Sequence, residues 1–323
     1  MNKSELKVGI IGARRGAAFM AGFEAAAETT VVALCDNHPQ TLDDYADKYN
    51  IKRRYLDYEA MLESDLDIVV VATPMPLHVP MSVAALSAGK HVLSEVPAAI
   101  DLLQCWQLVQ AVLSSGKKYM MAENCCYMKP AVLITELVRP GLFGELYFGE
   151  GEYTHELKAT NKLTPWRRAW QTGRRGCTYA THSLGPLLQW FNAARNQNGE
   201  IIKVATVACF GSGHHYKDWR GQHFKNDDVN LMLCQLSNGG LVKIRNDLLS
   251  ERPLKSDYNS LQGTHGCYEA PRGFGDAPKI WLASCHRPGT WHSLWDFEAE
   301  FMPEMWRNPS AEALRAGHGG SDY

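Results

Sequence analysis

Tyr179 and His182 stand three residues apart, a phenol and an imidazole that the start of one helix would present on a single face. Both groups can move a proton at the pH of a cell, so the pair suits general acid and base work. A buried structural pair would explain the same spacing equally well. Glu95, in Ser94-Glu95-Val96-Pro97, and Glu123, ahead of Asn124, add carboxylates directly after two apolar stretches. A second constellation is a turn in which Gly9, Gly12 and Gly16 follow one another between an apolar stretch and a helical one.

A pyrophosphate group needs free backbone N–H groups at a helix start and no bulky side chain in the turn that approaches it. The glycines supply this only roughly. Counted from Gly12, the strict G-x-G-x-x-G spacing fails at Arg14 and Ala17, although Arg14 could offer its own charge to phosphate. Taken alone the turn also fits an ordinary strand-to-helix connection. Asp36 closes the next apolar stretch, where a carboxylate can accept from both ribose hydroxyls and would repel a 2'-phosphate, so NAD is expected rather than NADP. Thr73, His78, Glu95 and Asn124 each follow a further apolar stretch and would converge on the same crevice, although any one of them could be a helix cap.

These positions need a scaffold. Residues 7–11, 31–35, 67–72, 91–93 and 118–122 read as short apolar strands, with helical patterns over 17–27, 42–49, 78–88 and 102–113 between them. That alternation predicts a doubly wound parallel sheet covered on both faces. A helix after Pro130 is followed by a change of texture. Alternating strands over 144–153, 201–210, 230–236 and 241–248 predict a sheet-rich second domain that begins near residues 125–145. The expected division is a dinucleotide-binding domain over 1–124 and the sheet-rich domain over 125–323. The stretches 164–177 and 214–228 read as long functional loops, and 263–289, rich in Gly and Pro, as surface chain.

Composition narrows the partners. With 33 basic against 35 acidic residues the net charge is -2, which argues against nucleic acid or an anionic membrane. No apolar run reaches the ~20 residues of a membrane span, and no secretion signal is readable. Nine cysteines without a CxxC pair fit a reduced, cytoplasmic chain in which Cys125 and Cys126 serve packing. His214, His215, His223, Asp227 and Asp228 could ligate a metal, but their spacing matches no tight zinc pattern, so no metal is expected. Roles as solvated loop residues or substrate contacts fit them better, with Asn226 and Asp228 the candidates for the latter.

The block Val69-Val70-Val71-Ala72-Thr73-Pro74, with Leu77-His78 and Ala88-Gly89-Lys90-His91-Val92-Leu93, resembles the Gfo/Idh/MocA oxidoreductase family. The resemblance implies a Rossmann domain joined to an α/β domain with a large open, mostly antiparallel sheet, so that 125–323 would be a substrate-binding and oligomerisation domain, assembled as a dimer or tetramer. Most members continue the block with Glu-Lys-Pro, the lysine assisting hydroxyl proton transfer in sugar oxidation. Here that position is Val96, which has no proton to exchange.

Trp166-Arg167-Arg168, the segment from Cys177 to Pro186, Leu261-Gln262-Gly263-Thr264 and Gly317-His318-Gly319-Gly320 are similar to segments of the NAD-dependent glycoside hydrolase family 109. Its known member activity, on α-N-acetylgalactosaminides, implies a glycoside substrate and a concealed redox cycle. Sugar C3 is oxidised, the C2 proton leaves, the C1 substituent is eliminated, water adds, and hydride returns to C3. Within that scheme Tyr179 is expected to abstract the C2 proton and His182 to handle the proton of the C3 hydroxyl. Glu95 would lie by nicotinamide or sugar, and Trp166 with Arg167 would cover the cofactor. His155 and His318 are candidates for binding sugar hydroxyls, with surface or loop roles equally open. Family members continue past the Gly-His-Gly-Gly segment with helices, so a chain clipped at its carboxyl end, or a natural short form, is expected. Two other readings stay open: a sugar or cyclitol dehydrogenase in which His182 replaces the lysine, and a non-catalytic sensor of NAD and sugar.

Overall fold

A computed structural model of the chain describes residues 5–194, 199–253, 255–273, 275–309 and 311, with only the backbone for 166–168, 255 and 256. The chain divides into two compact units, the first holding the residues up to Ala122 and the second Glu123–Arg307.

The first unit is a six-stranded sheet in the order β3-β2-β1-β4-β5-β6, every pair parallel. Its strands are β1 (Leu6–Ile11), β2 (Thr29–Cys35), β3 (Arg53–Tyr55), β4 (Ile68–Val71), β5 (His91–Ser94) and β6 (Tyr119–Met121). Both faces must be covered, which is why β4 is uninterrupted Ile-Val-Val-Val. Val8, Ile10 and Val70 pack to one side with Leu34 and Leu42, whereas Ile11, Val69 and Val71 pack to the other with Leu86 and Leu108. The helices are α1 (Ala13–Gly16), α2 (Met20–Ala25), α3 (Pro39–Lys48), α4 (Tyr58–Leu62), α5 (His78–Ser87) and α6 (Leu102–Ser115). From β1 the chain runs outward through β2 and β3, then returns to β4 on the other side. The order therefore reverses between β1 and β4, and in such sheets ligands bind outside the strand ends at that point.

The second unit is an eight-stranded sheet in the order β14-β13-β12-β11-β7-β10-β9-β8. Its strands are β7 (Leu146–Thr154), β8 (Val204–Gly211), β9 (Val229–Leu236), β10 (Leu241–Asp247), β11 (Lys255–Gly263), β12 (Gly266–Glu269), β13 (Lys279–Leu282) and β14 (His292–Ser293). Only β7 and β10 pair parallel. One face is packed by α7 (Lys129–Val138) and by Thr181–Ala193, around Leu133, Leu137, Leu187, Trp190, Val242 and Ile244. The register sets Phe210 beside Leu231, Leu231 beside Arg245, Arg245 beside Glu152 and Glu152 beside Tyr258. That row is apolar at the β8 edge and charged toward the centre.

Two stretches differ from expectation. Residues 263–289 contain β12 and β13, paired within the sheet, because short apolar alternations survive among the glycines and prolines. The segment read as a loop over 164–177 holds a helix, Pro165–Thr172, with a proline in its first turn where the missing N–H costs nothing.

Candidate functional site

In the first unit Gly12 sits at φ +91°, where a side chain would be strained, and a Cβ there would lie 2.4 Å from the carbonyl oxygen of Ala72. Backbone thus meets backbone at the reversal point, leaving the turn bare. Ala13 N–H donates to Asp36 Oδ2 at 3.0 Å and His38 N–H to Asp36 Oδ1 at 3.0 Å. The carboxylate is therefore held at the end of β2 with lone pairs to spare for ribose hydroxyls. Thr73 Oγ1 is buried without a hydrogen-bond partner among the described residues, a polar group awaiting one. The bare turn, the fixed carboxylate and the orphaned hydroxyl fit a dinucleotide.

The other residues named for this crevice behave differently from one another. Arg14 is exposed, whereas its neighbour Arg15 turns inward and its Nε donates to Glu95 Oε1. Glu95 is buried, and its Oε2 also accepts from Val96 N–H at 3.2 Å. His78, 1% exposed, places Nδ1 2.8 Å from Pro97 O and Nε2 2.8 Å from Thr73 O, tying together the loops after β4 and β5. Gly9 packs against Leu66 and leaves no room for a side chain.

In the second unit a compact cluster surrounds His182. Its Nδ1 lies 2.7 Å from Glu123 Oε1, and both residues are buried. The rings of Tyr153 and Tyr179 stand 4.9 and 5.0 Å from the imidazole, centroid to centroid, and His155 is 6.0 Å from Tyr153. Tyr179 precedes the helix, which begins at Thr181, so a shared helical face does not bring the pair together. Instead Asn246 Nδ2 donates to Tyr179 O at 2.8 Å and pins the turn from β10. The helix Thr181–Ala193 comes close because β7 is glycine at the crossing. A Cβ on Gly151 would lie 2.3 Å from Ser183 O.

Glu123 Oε1 also accepts from Cys125 N–H at 3.1 Å, while Oε2 is buried without a partner among the described residues. Thr181 Oγ1 and Ser183 Oγ share that condition. Buried polar atoms without partners are uncommon, and a bound polar group would satisfy them. Glu123, Cys125 and His182 have ligand-competent atoms within 4.8 Å of one another. Burial, then the Glu123 charge, pushes the Cys125 thiol well above its usual range, so a metal would first have to displace a tightly held proton. The hydrogen-bonded acid–imidazole pair is the simpler arrangement.

Asn124 is exposed, and His155 has its Nδ1 3.2 Å from Glu156 O. The histidine-rich loop does not gather: His214 faces Asn226 O, His215 faces Asp228, and His223 is exposed. Asp227 is claimed by Arg175, whose hydrogen bond holds the carboxyl below its usual range. Asn226 Oδ1 and Asp228 Oδ1 are buried without partners among the described residues. The side chains of Trp166 and Arg167, and all of His318, lie outside the described residues. Sequence reasoning missed Arg15, Tyr153 and the role of Glu123 as partner to His182. For Glu123 the only signal was a carboxylate following the last parallel strand.

A family model described as the NAD-binding Rossmann fold of an oxidoreductase family matches residues 6–123. Another, described as the C-terminal domain of glycosyl hydrolase 109, matches residues 127–323. The chain belongs to glycosyl hydrolase family 109. It is 31% identical to a glycosyl hydrolase family 109 protein of Shewanella pealeana, over 98% of this chain and 74% of that one. A protein of Shewanella oneidensis named alpha-N-acetylgalactosaminidase is 30% identical over the same shares. Levoglucosan dehydrogenase, solved with NADH and levoglucosan, superposes with a TM-score of 0.71 over 90% of this chain and 80% of that one. At 18% identity this shows the fold alone. This family 109 chain is thus an enzyme, a glycosidase or sugar oxidoreductase, whose cofactor is NAD. No helix among its described residues is long and apolar enough to cross a membrane, and its nine cysteines are free.

Proposed function

We propose that the protein hydrolyses glycosides through transient oxidation at sugar C3, with an α-N-acetylgalactosaminide as the first candidate substrate. The observation that carries this reading is the Glu123–His182 contact of 2.7 Å in a chain that has Val96 where a lysine would otherwise move the proton. An imidazole whose Nδ1–H donates to a carboxylate presents Nε2 as an acceptor, and Glu123 also stabilises the imidazolium that forms. His182 accordingly takes the O3 proton and later gives it back. NAD, when bound, supplies the hydride acceptor at C3 and returns the hydride at the end of the cycle.

Oxidation of C3 acidifies the C2 hydrogen, and Tyr179 removes it while the C1–O bond to the aglycone breaks. Water then adds at C1 as C2 regains a proton. The turn held by Asn246 keeps the phenol within about 5 Å of the imidazole, so the two proton transfers act on neighbouring carbons of one ring. His155, His318, Asn226 and Asp228 contribute hydrogen bonds to sugar hydroxyls. Gly12 and Arg14 approach the pyrophosphate, while Gly9, inside β1 against Leu66, serves packing instead; Asp36 takes the ribose hydroxyls, and Thr73, His78, Glu95, Asn124, Trp166 and Arg167 complete the cofactor's surroundings. The exposed face of the second sheet serves self-association as a dimer or tetramer. A reducing, cytoplasmic setting suits the free thiols.

The test is a panel of nitrophenyl α- and β-glycosides with aglycone and NADH followed together in heavy water. Aglycone release with deuterium at C2 and no accumulating NADH is the expected result. Stoichiometric NADH from free sugars without aglycone release would replace this reading with a dehydrogenase. Tight binding with no turnover would replace it with a sensor.

A further inference from the structure

Helix α6 is apolar on both sides. Leu108 and Ala111 point inward and are buried, while Leu102, Trp106, Val109 and Leu113 are 79%, 65%, 46% and 72% exposed. At 3.6 residues per turn these four fall within about 60° of arc, opposite the buried side. Leu103, 67% exposed, flanks them, and the helix carries no charged residue at all. Gln107, Gln110 and Ser114 make a polar arc beside the stripe, but an exposed apolar stripe of this size, opposite an already buried side, calls for a partner. Beside the stripe, α5 and α6 border a shallow groove of about 600 Å³, lined by Val79, Val83, Trp106, Gln110 and Ser114 among others.

Two properties of the stripe identify its occupant. The first is symmetry. Leu102 and Leu113 are equally distant along the sequence from the midpoint between Gln107 and Leu108, and so are Trp106 and Val109. A second copy laid antiparallel therefore sets Leu102 against the partner's Leu113 and Trp106 against the partner's Val109, twice over. The second is charge. Asp101 precedes the helix, and Lys117 and Lys118 follow it. Antiparallel packing brings unlike charges and opposite helix-dipole ends together, whereas parallel packing opposes like to like.

The area agrees. The five exposed side chains present on the order of 600 Å², at the upper limit of what an unpartnered surface carries and near the ~800 Å² per partner of a standard interface. A membrane-surface helix would instead carry lysines and arginines along its polar side, and α6 has none.

We propose that α6 is a self-association face on which a second copy of this chain packs antiparallel, about a two-fold axis level with Gln107 and Leu108. This contact is separate from the sheet of the second unit and independent of the reaction proposed above.

Sedimentation velocity on the full chain tests it, comparing the unsubstituted protein with Trp106→Glu and with Phe210→Glu, whose side chain is 72% exposed on the other unit's sheet. Trp106→Glu is expected to raise the dissociation constant of one two-fold association step at least about tenfold, or about 1.4 kcal/mol. Phe210→Glu should leave that step unchanged. Leu113→Gln, a milder change, should weaken the same step less and keeps the test valid should Trp106→Glu not fold. An unsubstituted protein that stays monomeric, or an association step indifferent to both α6 variants, overturns the proposal. Binding to phosphatidylcholine vesicles that Trp106→Glu abolishes, with association unmoved, overturns it in favour of a membrane surface.

Discussion

Two buried glutamates follow the last two parallel strands, and they keep different company. Glu95, just after β5, is held by the Arg15 guanidinium and by a backbone N–H of its own loop. Glu123, just after β6, is held by the imidazole of His182 and the backbone N–H of Cys125. A guanidinium keeps its charge at any accessible pH and has no proton to trade, so the first pair can fix geometry and charge but cannot run a proton cycle. An imidazole gains and loses a proton near neutrality, so the second pair can. On the reading proposed above, proton chemistry is assigned to Glu123 and His182, and the Glu95–Arg15 pair to fixing geometry and charge.

Substitutions can break or sharpen that contrast. His182→Asn should produce the largest loss, lowering kcat by about 10²–10⁴-fold, the usual range for removing a positioned acid–base group, with NAD affinity nearly unchanged by calorimetry. Glu123→Gln should come next. It preserves shape but replaces an acceptor with an amide that can donate, so kcat should fall by roughly 10²-fold and the pH–rate profile should shift, which a merely structural role would not cause. Glu95→Gln should cost least in kcat and most in binding: loss of the ion pair, with Arg15 only partly shielded, should weaken NAD binding about tenfold and lower stability by about 1–2 kcal/mol. If Glu95→Gln halted turnover with NAD still bound, the assignment of proton chemistry would have to be reversed.

The smallest effect concerns thiols. Burial pushes Cys125 far above its usual range and Cys126 and Cys177 to about 12, while Cys105, Cys209 and Cys285 are exposed. Because a thiol reacts as its thiolate, iodoacetamide near neutral pH should add first at these three exposed positions, by mass spectrometry, with activity retained. Early modification of Cys125 would mean that the pocket beside Glu123 opens.

How much of this could be read beforehand depended on range along the chain. The parallel sheet was legible because a strand covered on both faces must be a continuous apolar run, as residues 68–71 are. β3, Arg53–Tyr55, was not, since an edge strand of two arginines and a tyrosine has no such pattern. β12 and β13 were hidden among glycines and prolines that ordinarily signal turns. At the sites, the turn at Gly12 and the carboxylate Asp36 follow local rules and were legible. Tyr179 and His182 were found together, although the link is the Asn246 bond and not a common helix. The Glu123–His182 contact joins residues 59 apart in sequence, and no local periodicity encodes it.

Gly151 carries a last consequence. The helix bearing His182 rests on bare backbone, and its separation from β7 is set by hard-core repulsion between atoms. Such a stop is nearly indifferent to salt, and it yields to nothing gentler than a rebuilt main chain. Engineering of this chain should therefore graft new side chains elsewhere and leave this seat untouched: even alanine would act as a wedge between β7 and the helix, pulling the His182 imidazole away from Glu123.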